Sequence, residues 1–566
     1  MSAVKSSHNP SQRYLSTRGG SYDLSFEDVV LKGLASDGGL FIPEEIPSLP
    51  SNWQTSWKDL SFQDLATKIY SLYISEDEIP KQDLQQIINK SYETFRAQNI
   101  TPVVTLDEGK KLHLLELFHG PTFAFKDVAL QFLGNLFEYF LVRRNQGKQG
   151  AQRDHLTVIG ATSGDTGSAA IYGLRGKQDV SVFIMHPKGK VSPIQEAQMT
   201  TVLDPNVHNL AVEGTFDDCQ DIVKALFSDE EINKTHRLGA VNSINWARIL
   251  AQIVYYFHSY FSIVRKTDEA SPKVRFVVPT GNFGDILAGY FAVRMGLPAE
   301  KLVIATNEND ILYRFWKTGY YEKHPVEGRQ AEGGIEEDGV KAHSEGVKET
   351  LAPAMDILVS SNFERLLWFL AYGVSSVGEV NRRRMEAGEK VKNWLGDLKT
   401  KGGFGVDSTI LDAAKSTFES ERVSDKQTLD TIKATYRKTL PASSHQTNGT
   451  ADAALPPPTK GTEQDGHYIL DPHSAIGIAA SLRSIARAPA GTEHVALATA
   501  HPAKFANAVE LALKDEPGFT FAAVLPDQFI GLEEKEKNVK GCKASWEEVR
   551  KIVVEQVDAE LKAATA

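Results

Sequence analysis

The chain has 566 residues, with 62 Lys and Arg against 73 Asp and Glu, and a formal net charge of −11. Hydrophobic residues make up 41% of it and charged residues 24%, the composition of a globular protein with several structural units. The acidic charge argues against a general nucleic-acid-binding protein, which needs a basic face. No apolar run approaches the length of a membrane span. The two cysteines, Cys219 and Cys542, predict reduced thiols in a cytoplasmic protein rather than disulfides or a Cys-rich metal site.

The spacing of apolar residues predicts a small, mostly helical N-terminal domain over residues 1–105. Its predicted helices cover 25–35, 64–73 and 81–98. From about 106 to 535, strands alternate with helices, which favours an α/β fold with a parallel or mixed sheet and helices on both faces. The predicted strands are 112–117, 156–160, 180–185, 274–279, 301–305 and 494–499, and the predicted helices are 126–144, 166–175, 245–265 and 285–296.

Two segments have the composition of insertions, one near 322–350 and one near 440–466. The first is rich in Glu and Gly, and the second is rich in Pro, Ser, Thr and Gly. Residues 536–566 are predicted to form a helical C-terminal tail. No clustered His, Asp or Glu spacing indicates a metal site.

A lysine lies between a Gly-Pro turn and a helical segment, in His119-Gly-Pro-Thr-Phe-Ala-Phe-Lys126-Asp127. Desolvation disfavours the charged form of an amine, so a buried lysine here has a lowered pKa. A neutral lysine can form a Schiff base with an aldehyde cofactor. The same pattern, taken alone, also fits a solvated lysine at a helix start.

Two glycine-rich turns follow apolar strands and open helices. The first glycine turn is Thr162–Gly167 (Thr-Ser-Gly-Asp-Thr-Gly), and the second glycine turn is Gly281–Asp285 (Gly-Asn-Phe-Gly-Asp). Free backbone N–H groups and the helix dipole favour an anion at such a turn. Neither turn has the Gly-Lys-Ser/Thr ending of a Walker loop or the spaced glycines of a dinucleotide fingerprint. Each turn alone fits a tight strand-to-helix connection equally well.

Seven segments, in this order, resemble the threonine synthase family of the longer microbial and fungal type. They are Thr17–Gly19, Ser36–Pro43, Gly120–Asp127, Ala161–Gly167, Asn242–Arg248, Gly281–Asp285 and Thr499–Phe505. The resemblance runs from about residue 13 to about 535. It implies a fold-type II pyridoxal-phosphate (PLP) enzyme, similar to tryptophan synthase beta, with two open-sheet domains. The smaller, mobile subdomain is expected at about 150–270.

The resemblance also implies the cofactor site. Lys126 is expected to be the Schiff-base lysine and the general acid/base. The cofactor phosphate is expected on Gly281, Asn282, Phe283, Gly284 and Asp285, and the hydroxyl of Thr499 on the pyridine nitrogen. Because the Asp285 carboxylate would repel a phosphate, its backbone N–H, or its side chain as a helix cap, is the expected contact.

The family's reaction converts O-phospho-L-homoserine and water to L-threonine and phosphate, the last step of threonine biosynthesis. The expected substrate-binding residues are Thr162, Ser163, Asp165 and Thr166 for the carboxylate, and Asn242, Ser243 and Arg248 for the phosphate. Many fold-type II relatives have Asn where Asp165 stands, so the partner and protonation of Asp165 are left open.

Two alternatives to the synthase reaction remain at this stage. A phospho-lyase that releases 2-oxobutyrate would share every binding motif, and a catalytically silent PLP-binding scaffold would retain the cofactor without turnover. The expected partners are the small-molecule substrate, with no nucleic acid and no membrane. The related long-form enzymes imply a monomer or a weak homodimer.

Overall fold

The computed structural model describes residues 12–267, 269, 271–324, 346–437, 461–464 and 466–563. Most of each predicted insertion, near 322–350 and 440–466, lies outside the described residues. In the described part of the chain, no helix is both long and apolar enough to cross a membrane.

Helices dominate the first hundred residues, as predicted. They are Phe26–Lys32, Trp53–Ser56, Phe62–Tyr70 and Lys81–Tyr92, beside an antiparallel strand pair of Tyr14–Ser16 and Phe41–Pro43. The last of these helices ends at Tyr92 and not near 98. Beyond it, the backbone N–H of Arg96 donates to the carbonyl of His119 at 2.9 Å. This contact joins the end of the N-terminal unit to the loop that precedes Lys126.

A six-stranded sheet, here called the large sheet, forms the centre of the molecule. Its order is Phe418–Arg422, Ala299–Thr306, Val274–Pro279, Glu493–Ala498, Leu112–Glu116 and Val103–Asp107. All neighbours are parallel except the last pair, which is antiparallel. Four of these strands were predicted from the sequence, and the two edge strands were not.

A second sheet, here called the small sheet, has five parallel strands. Four of them lie between residues 156 and 239, and the fifth comes from the C-terminal region. Its order is Lys540–Lys543, Val207–Glu213, Val180–Pro187, Leu156–Ala161 and Leu238–Gly239. The predicted helical tail contains the helix Trp546–Ala563, and it also supplies the edge strand Lys540–Lys543. That strand has one buried residue, Cys542, so it carries little apolar signal in the sequence.

The helix Lys126–Arg144 packs against Lys81–Tyr92, Asp165–Leu174 and Trp246–Lys266. Its buried face includes Val128, Phe132, Leu136 and Phe140, and burying such apolar surface is the main favourable term in folding. The other helices are Gly284–Met295, Pro193–Thr200, Phe216–Ser228, Glu230–His236, Ile311–Thr318, Phe363–Val374, Val380–Lys401, Ser408–Thr417, Asp425–Tyr436, Pro472–Ile485, Ala506–Leu513 and Phe521–Val524.

Four of the segments that the sequence singled out follow the carboxyl end of a strand. Lys126 follows Leu112–Glu116, the first glycine turn follows Leu156–Ala161, the second follows Val274–Pro279, and Thr499 follows Glu493–Ala498. In open α/β sheets, ligands bind outside the carboxyl ends of the strands. The topology therefore places the candidate site at this edge of both sheets.

Candidate active site

The backbone around Lys126 is held against the backbone around Thr499. The N–H of Phe125 donates to the carbonyl of Thr499 at 2.8 Å, and an isolated antiparallel bridge joins Ala124 to Ala500. Thr499 is 6% exposed and Lys126 is partly buried. The two segments are far apart in the chain, and strand pairing brings the lysine and the threonine to one place.

Four charged groups surround the amine of Lys126. Burial is the largest influence on this amine and lowers its pKa to about 8. Asp165 and Asp127 oppose that change, while the cations of Arg248 and Lys504 add to it. A substantial fraction of Lys126 is therefore neutral near pH 8, as a nucleophilic or basic amine must be.

The first glycine turn is shaped by its own threonine. The Thr162 hydroxyl oxygen accepts the backbone N–H groups of Gly164 at 3.0 Å and Gly167 at 2.9 Å. Gly164 has a φ of 150°, a conformation that side chains other than glycine's rarely adopt. Thr162 is buried inside the turn, whereas Ser163 is exposed and Thr166 is partly exposed. Ser163 and Thr166 are therefore the side chains of this turn with access to a ligand.

Asp165 is a buried carboxylate with two strong partners. Its Oδ1 accepts a hydrogen bond from Gln195 Nε2 at 2.9 Å and pairs with Lys504 Nζ at 2.8 Å. Burial alone would raise its pKa, but the ammonium groups of Lys504 and Lys126 outweigh burial and lower the pKa to about 2. A pKa this low favours the ionised form of Asp165 throughout the physiological range.

Neutral groups hold the second glycine turn in place. The Ser360 hydroxyl donates to the carbonyl of Gly281 at 2.6 Å, and both the backbone N–H and the amide of Asn362 donate to the carbonyl of Asn282 at 3.1 Å. Phe283 has a φ of 65° and precedes the helix Gly284–Met295, whose first turn has no side-chain cap. That helix start therefore presents N–H groups that an anion can satisfy.

The expected helix-cap role of the Asp285 side chain is wrong. Its carboxyl group points instead to the helix Trp246–Lys266, where it accepts the hydroxyls of Tyr255 at 2.5 Å and Tyr256 at 3.0 Å. Burial raises the pKa of Asp285 to about 7, although the two tyrosine hydroxyls oppose the rise. The carboxyl group therefore carries little negative charge below neutral pH, and its backbone N–H remains the group suited to a phosphate.

Arg248 is a buried cation whose charge is not neutralised. The residue is 3% exposed, and one of its terminal nitrogens donates to the carbonyl of Val241 at 2.9 Å. Its Nε has no hydrogen-bond partner, and among the described residues no carboxylate pairs with it. Asn242 and Ser243, on the turn before it, are exposed and partly exposed. A buried charge without a partner is costly, so this guanidinium fits an anionic ligand.

Several polar residues that organise the site were not identified from the sequence. The most enclosed is Arg365, which is 0% exposed and donates to the carbonyls of Phe41 and Ile244 and to the side chain of Asn362. It thereby joins the N-terminal domain to the turns that carry Ser243 and Asn282. The others are Lys504, Gln195, Tyr255, Tyr256, Ser360 and Asn362. Of these, only Lys504 lies in one of the seven resembling segments, where a lysine in an apolar run is a usable signal.

A cavity of about 790 Å³ near the start of the small-sheet strands is a poorer candidate. It is lined by Lys148, Arg153 and Lys177, and each of these cations pairs with a carboxylate. No group of three or more potential metal ligands is present among the described residues. The edge of the sheets around Lys126 therefore combines the reactive amine with the unneutralised cation and the uncapped helix start.

Family models match three parts of the chain. The model of the threonine synthase N terminus matches residues 13–92, and the model of its C-terminal part matches 474–553. The chain is also 54% identical over 528 residues to a threonine synthase of Schizosaccharomyces pombe, which covers 93% of this chain and 94% of that protein. The chain belongs to the threonine synthase family. The resemblance seen in the sequence is thus confirmed.

Solved structures agree with this assignment. Threonine synthase from yeast is 51% identical, with a TM-score of 0.85, over 98% of this chain and 100% of that one. The PLP-bound threonine synthase from Brucella melitensis is 38% identical, with a TM-score of 0.79, over 96% and 99%. The model of pyridoxal-phosphate dependent enzymes matches residues 95–359. The predicted fold-type II architecture and the predicted cofactor, PLP, are confirmed.

Proposed function

We propose that this protein is a threonine synthase, which converts O-phospho-L-homoserine and water to L-threonine and phosphate with PLP as cofactor. The observation that carries the proposal is Arg248, a buried guanidinium without a carboxylate partner that acts electrostatically on Lys126. PLP brings one phosphate, and the substrate brings a second. A site with one uncapped helix start and one unneutralised cation fits two phosphates.

The residues present fit the cofactor. We place its phosphate at the second glycine turn, where a Cβ on Gly281 would lie 3.1 Å from the carbonyl oxygen of Ala354, so the backbone approaches closely. Lys126 would hold the cofactor covalently, and the Thr499 hydroxyl would bind its ring nitrogen. When bound, PLP withdraws electrons from the substrate's α-carbon. A neutral threonine there, unlike a carboxylate, does not favour a protonated ring.

The substrate lies between the first glycine turn and Arg248. We assign its carboxylate to the turn's Ser163, Thr166 and backbone N–H groups, because the ionised Asp165 side chain would repel it. Its phosphate is held by Arg248 with Asn242 and Ser243. Thr162 contributes by fixing the turn, since its oxygen already accepts two backbone N–H groups.

Lys126 moves the protons in this proposal. The substrate's own amino group would take the place of the Lys126 amine and release it. The free amine, whose pKa burial lowers to about 8, could then take a proton from a carbon acid and return it at a neighbouring carbon. Burial keeps solvent protons from competing. Phosphate leaves while bound to Arg248, whose charge stabilises the departing anion.

Product analysis tests the proposal. The purified chain with PLP and O-phospho-L-homoserine is expected to release phosphate and threonine in equal amounts, and Lys126→Ala is expected to release neither. Phosphate with 2-oxobutyrate would assign the phospho-lyase reaction to the same site. Bound cofactor without phosphate release would identify a silent scaffold and refute the proposal.

We also propose that the protein acts in the cytoplasm as a monomer or weak homodimer, without binding nucleic acid. In support, Cys219 and Cys542 are buried free thiols, and burial raises their pKa values to about 12 and about 11, so both are poor nucleophiles. Light scattering over a concentration series, cell fractionation and titration with duplex DNA test these three points.

A further inference from the structure

Lys504 is an enclosed lysine with no role so far. It lies in the short helical segment Pro502–Phe505, and its side chain is 0% exposed. Its Nζ donates to the carbonyl of Thr122 at 2.8 Å and pairs with Asp165 Oδ1 at 2.8 Å. Thr122 belongs to the segment that leads to Lys126. Lys504 therefore ties the reactive lysine's segment to the first glycine turn.

Lys126 and Lys504 both act on one carboxylate. Asp165 interacts electrostatically with each of them, but its ion pair is with Lys504. A buried carboxylate that lost Lys504 would turn to the remaining ammonium, because an uncompensated buried charge is strongly unfavourable. Lys126 would then be held in its protonated form, which cannot act as a nucleophile or base.

Resting on the proposed function, we propose that Lys504 is a positioning residue that takes Asp165 as its own ion-pair partner and so weakens the attraction between that carboxylate and the amine of Lys126. Lys504 touches neither the reacting carbon atoms nor the substrate phosphate in this scheme. It acts through Asp165 and through the carbonyl of Thr122. Lys504 thus has a structural role, and Lys126 has the reactive role.

The groups that face these lysines come from five elements. They are Asp127 on the helix of Lys126, Asp165 on Asp165–Leu174, Arg248 on Trp246–Lys266, Lys504 on Pro502–Phe505, and His473 on Pro472–Ile485, which acts on Asp165. Removing the Lys504 cation removes a like charge and releases Asp165, so the pKa of Lys126 rises. Removing the Asp165 carboxylate lowers the pKa of Lys126. The two substitutions therefore act in opposite directions.

The test measures covalent attachment of PLP to Lys126. The full chain, stripped of cofactor, is mixed with PLP at a series of pH values and trapped by borohydride reduction, and the modified Lys126 peptide is quantified by mass spectrometry. The initial rate follows the neutral amine. The midpoint of the plot of initial rate against pH is expected to rise by about one pH unit or more in Lys504→Met and to fall in Asp165→Asn. Well below the midpoint, a rise of one pH unit lowers the neutral fraction of Lys126 about tenfold. Lys504→Arg is expected to keep the midpoint of the unsubstituted chain.

Lys177→Met is the matched control. Lys177 is a mostly buried lysine that pairs with Glu138 away from this site, with a side chain 13% exposed, so its loss is expected to leave the midpoint unchanged. An unchanged or lowered midpoint in Lys504→Met would overturn the proposal. Should that variant fail to fold, Lys504→Gln decides instead, because it removes the charge but keeps an N–H donor for the carbonyl of Thr122, and an unchanged or lowered midpoint there would overturn the proposal.

This readout contains no substrate. Failure of the proposed function, seen as absent threonine, is therefore distinguishable from failure of the Lys504 assignment, seen as a wrong or missing midpoint shift.

Discussion

The two glycine turns follow the same strand–turn–helix order in the sequence but are stabilised in opposite ways. The first glycine turn is ionic: Asp165 pairs with Lys504 and faces Lys126, while Thr162 caps the turn from within. The second glycine turn is held by the neutral groups of Ser360 and Asn362, and the helix after it has no side-chain cap.

Although the two turns have similar sequences, this difference suits them to different roles. The second glycine turn leaves its N–H groups for a phosphate, and even its one acidic residue, Asp285, is kept largely uncharged by burial below neutral pH. The first glycine turn keeps a full negative charge beside the reactive lysine. In the proposed function, the second glycine turn therefore binds the cofactor phosphate, while the first binds the substrate carboxylate and also influences the charge state of Lys126.

The largest expected effect is on catalysis and follows from the loss of Arg248. Arg248→Met should lower kcat/KM for phosphohomoserine about 100-fold, the size expected for losing charge-assisted hydrogen bonds to a phosphate. The affinity for PLP should change less than about threefold, since the second glycine turn is untouched. Steady-state kinetics and cofactor titration measure the two.

Arg265→Met, at the exposed end of the same helix, is the control for helix stability. Arg265 donates to the carbonyl of Lys58, far along the helix from Arg248. Equal losses of PLP affinity and substrate affinity in Arg248→Met would show that Arg248 stabilises the folded structure and does not bind the substrate phosphate specifically.

A matched pair of alanine substitutions contrasts the turns themselves. In Gly164→Ala, the new Cβ would lie 2.3 Å from the side-chain oxygen of Gln195 at a φ of 150°, whereas in Gly281→Ala it would lie 3.1 Å from the carbonyl of Ala354. Gly164→Ala should lower the free energy of unfolding by about 2 kcal/mol or more, because of the backbone strain. Gly281→Ala should lower it by under about 1 kcal/mol. The urea concentration at the unfolding midpoint should therefore be lower for Gly164→Ala than for Gly281→Ala. The reverse order would contradict the geometry of the first turn.

Removing a neutral contact should have a smaller effect, confined to the cofactor. Ser360→Ala takes away the hydroxyl that donates to the carbonyl of Gly281, so PLP affinity should fall about tenfold while KM for substrate stays near its original value. Ser361→Ala is the matched control, because Ser361 is exposed and makes one contact of 3.3 Å to Asn282. A larger effect on KM than on PLP binding would assign Ser360 to the substrate.

The last expected effect concerns the pH dependence of stability and not binding. Burial raises the pKa of Asp285 to about 7, so its contribution to folding is complete below the ordinary carboxyl pKa of about 4 and is lost as the pH rises through about 7. Asp285→Asn should therefore lose less thermal stability than the unsubstituted chain between about pH 5 and about pH 9. Parallel melting curves against pH for the two proteins would refute a raised pKa.

Local patterns predicted much of the fold and most of the site's backbone. The strand before each glycine turn and the helix after it follow from apolar runs and glycine, so both turns and the start of the helix at Lys126 were predictable. The edge strands Val103–Asp107, Phe418–Arg422 and Lys540–Lys543 were not predicted, because short or partly exposed strands carry weak periodicity.

The side-chain partners were the least predictable part. Lys504 meets Asp165, Tyr255 meets Asp285, and Arg365 meets Phe41 only after the sheets and the N-terminal domain have assembled. No local pattern encodes such distant contacts. The wrong expectation for the Asp285 side chain has this cause, since its hydrogen-bond partners lie on another helix.

A crystal structure of the full chain with PLP and inorganic phosphate tests the central claim most directly. The account predicts PLP attached to Lys126 with its phosphate at Gly281–Asp285, and a separate phosphate on the guanidinium of Arg248. A cofactor phosphate at Thr162–Gly167, or an Arg248 that binds no anion at saturating phosphate, would contradict it.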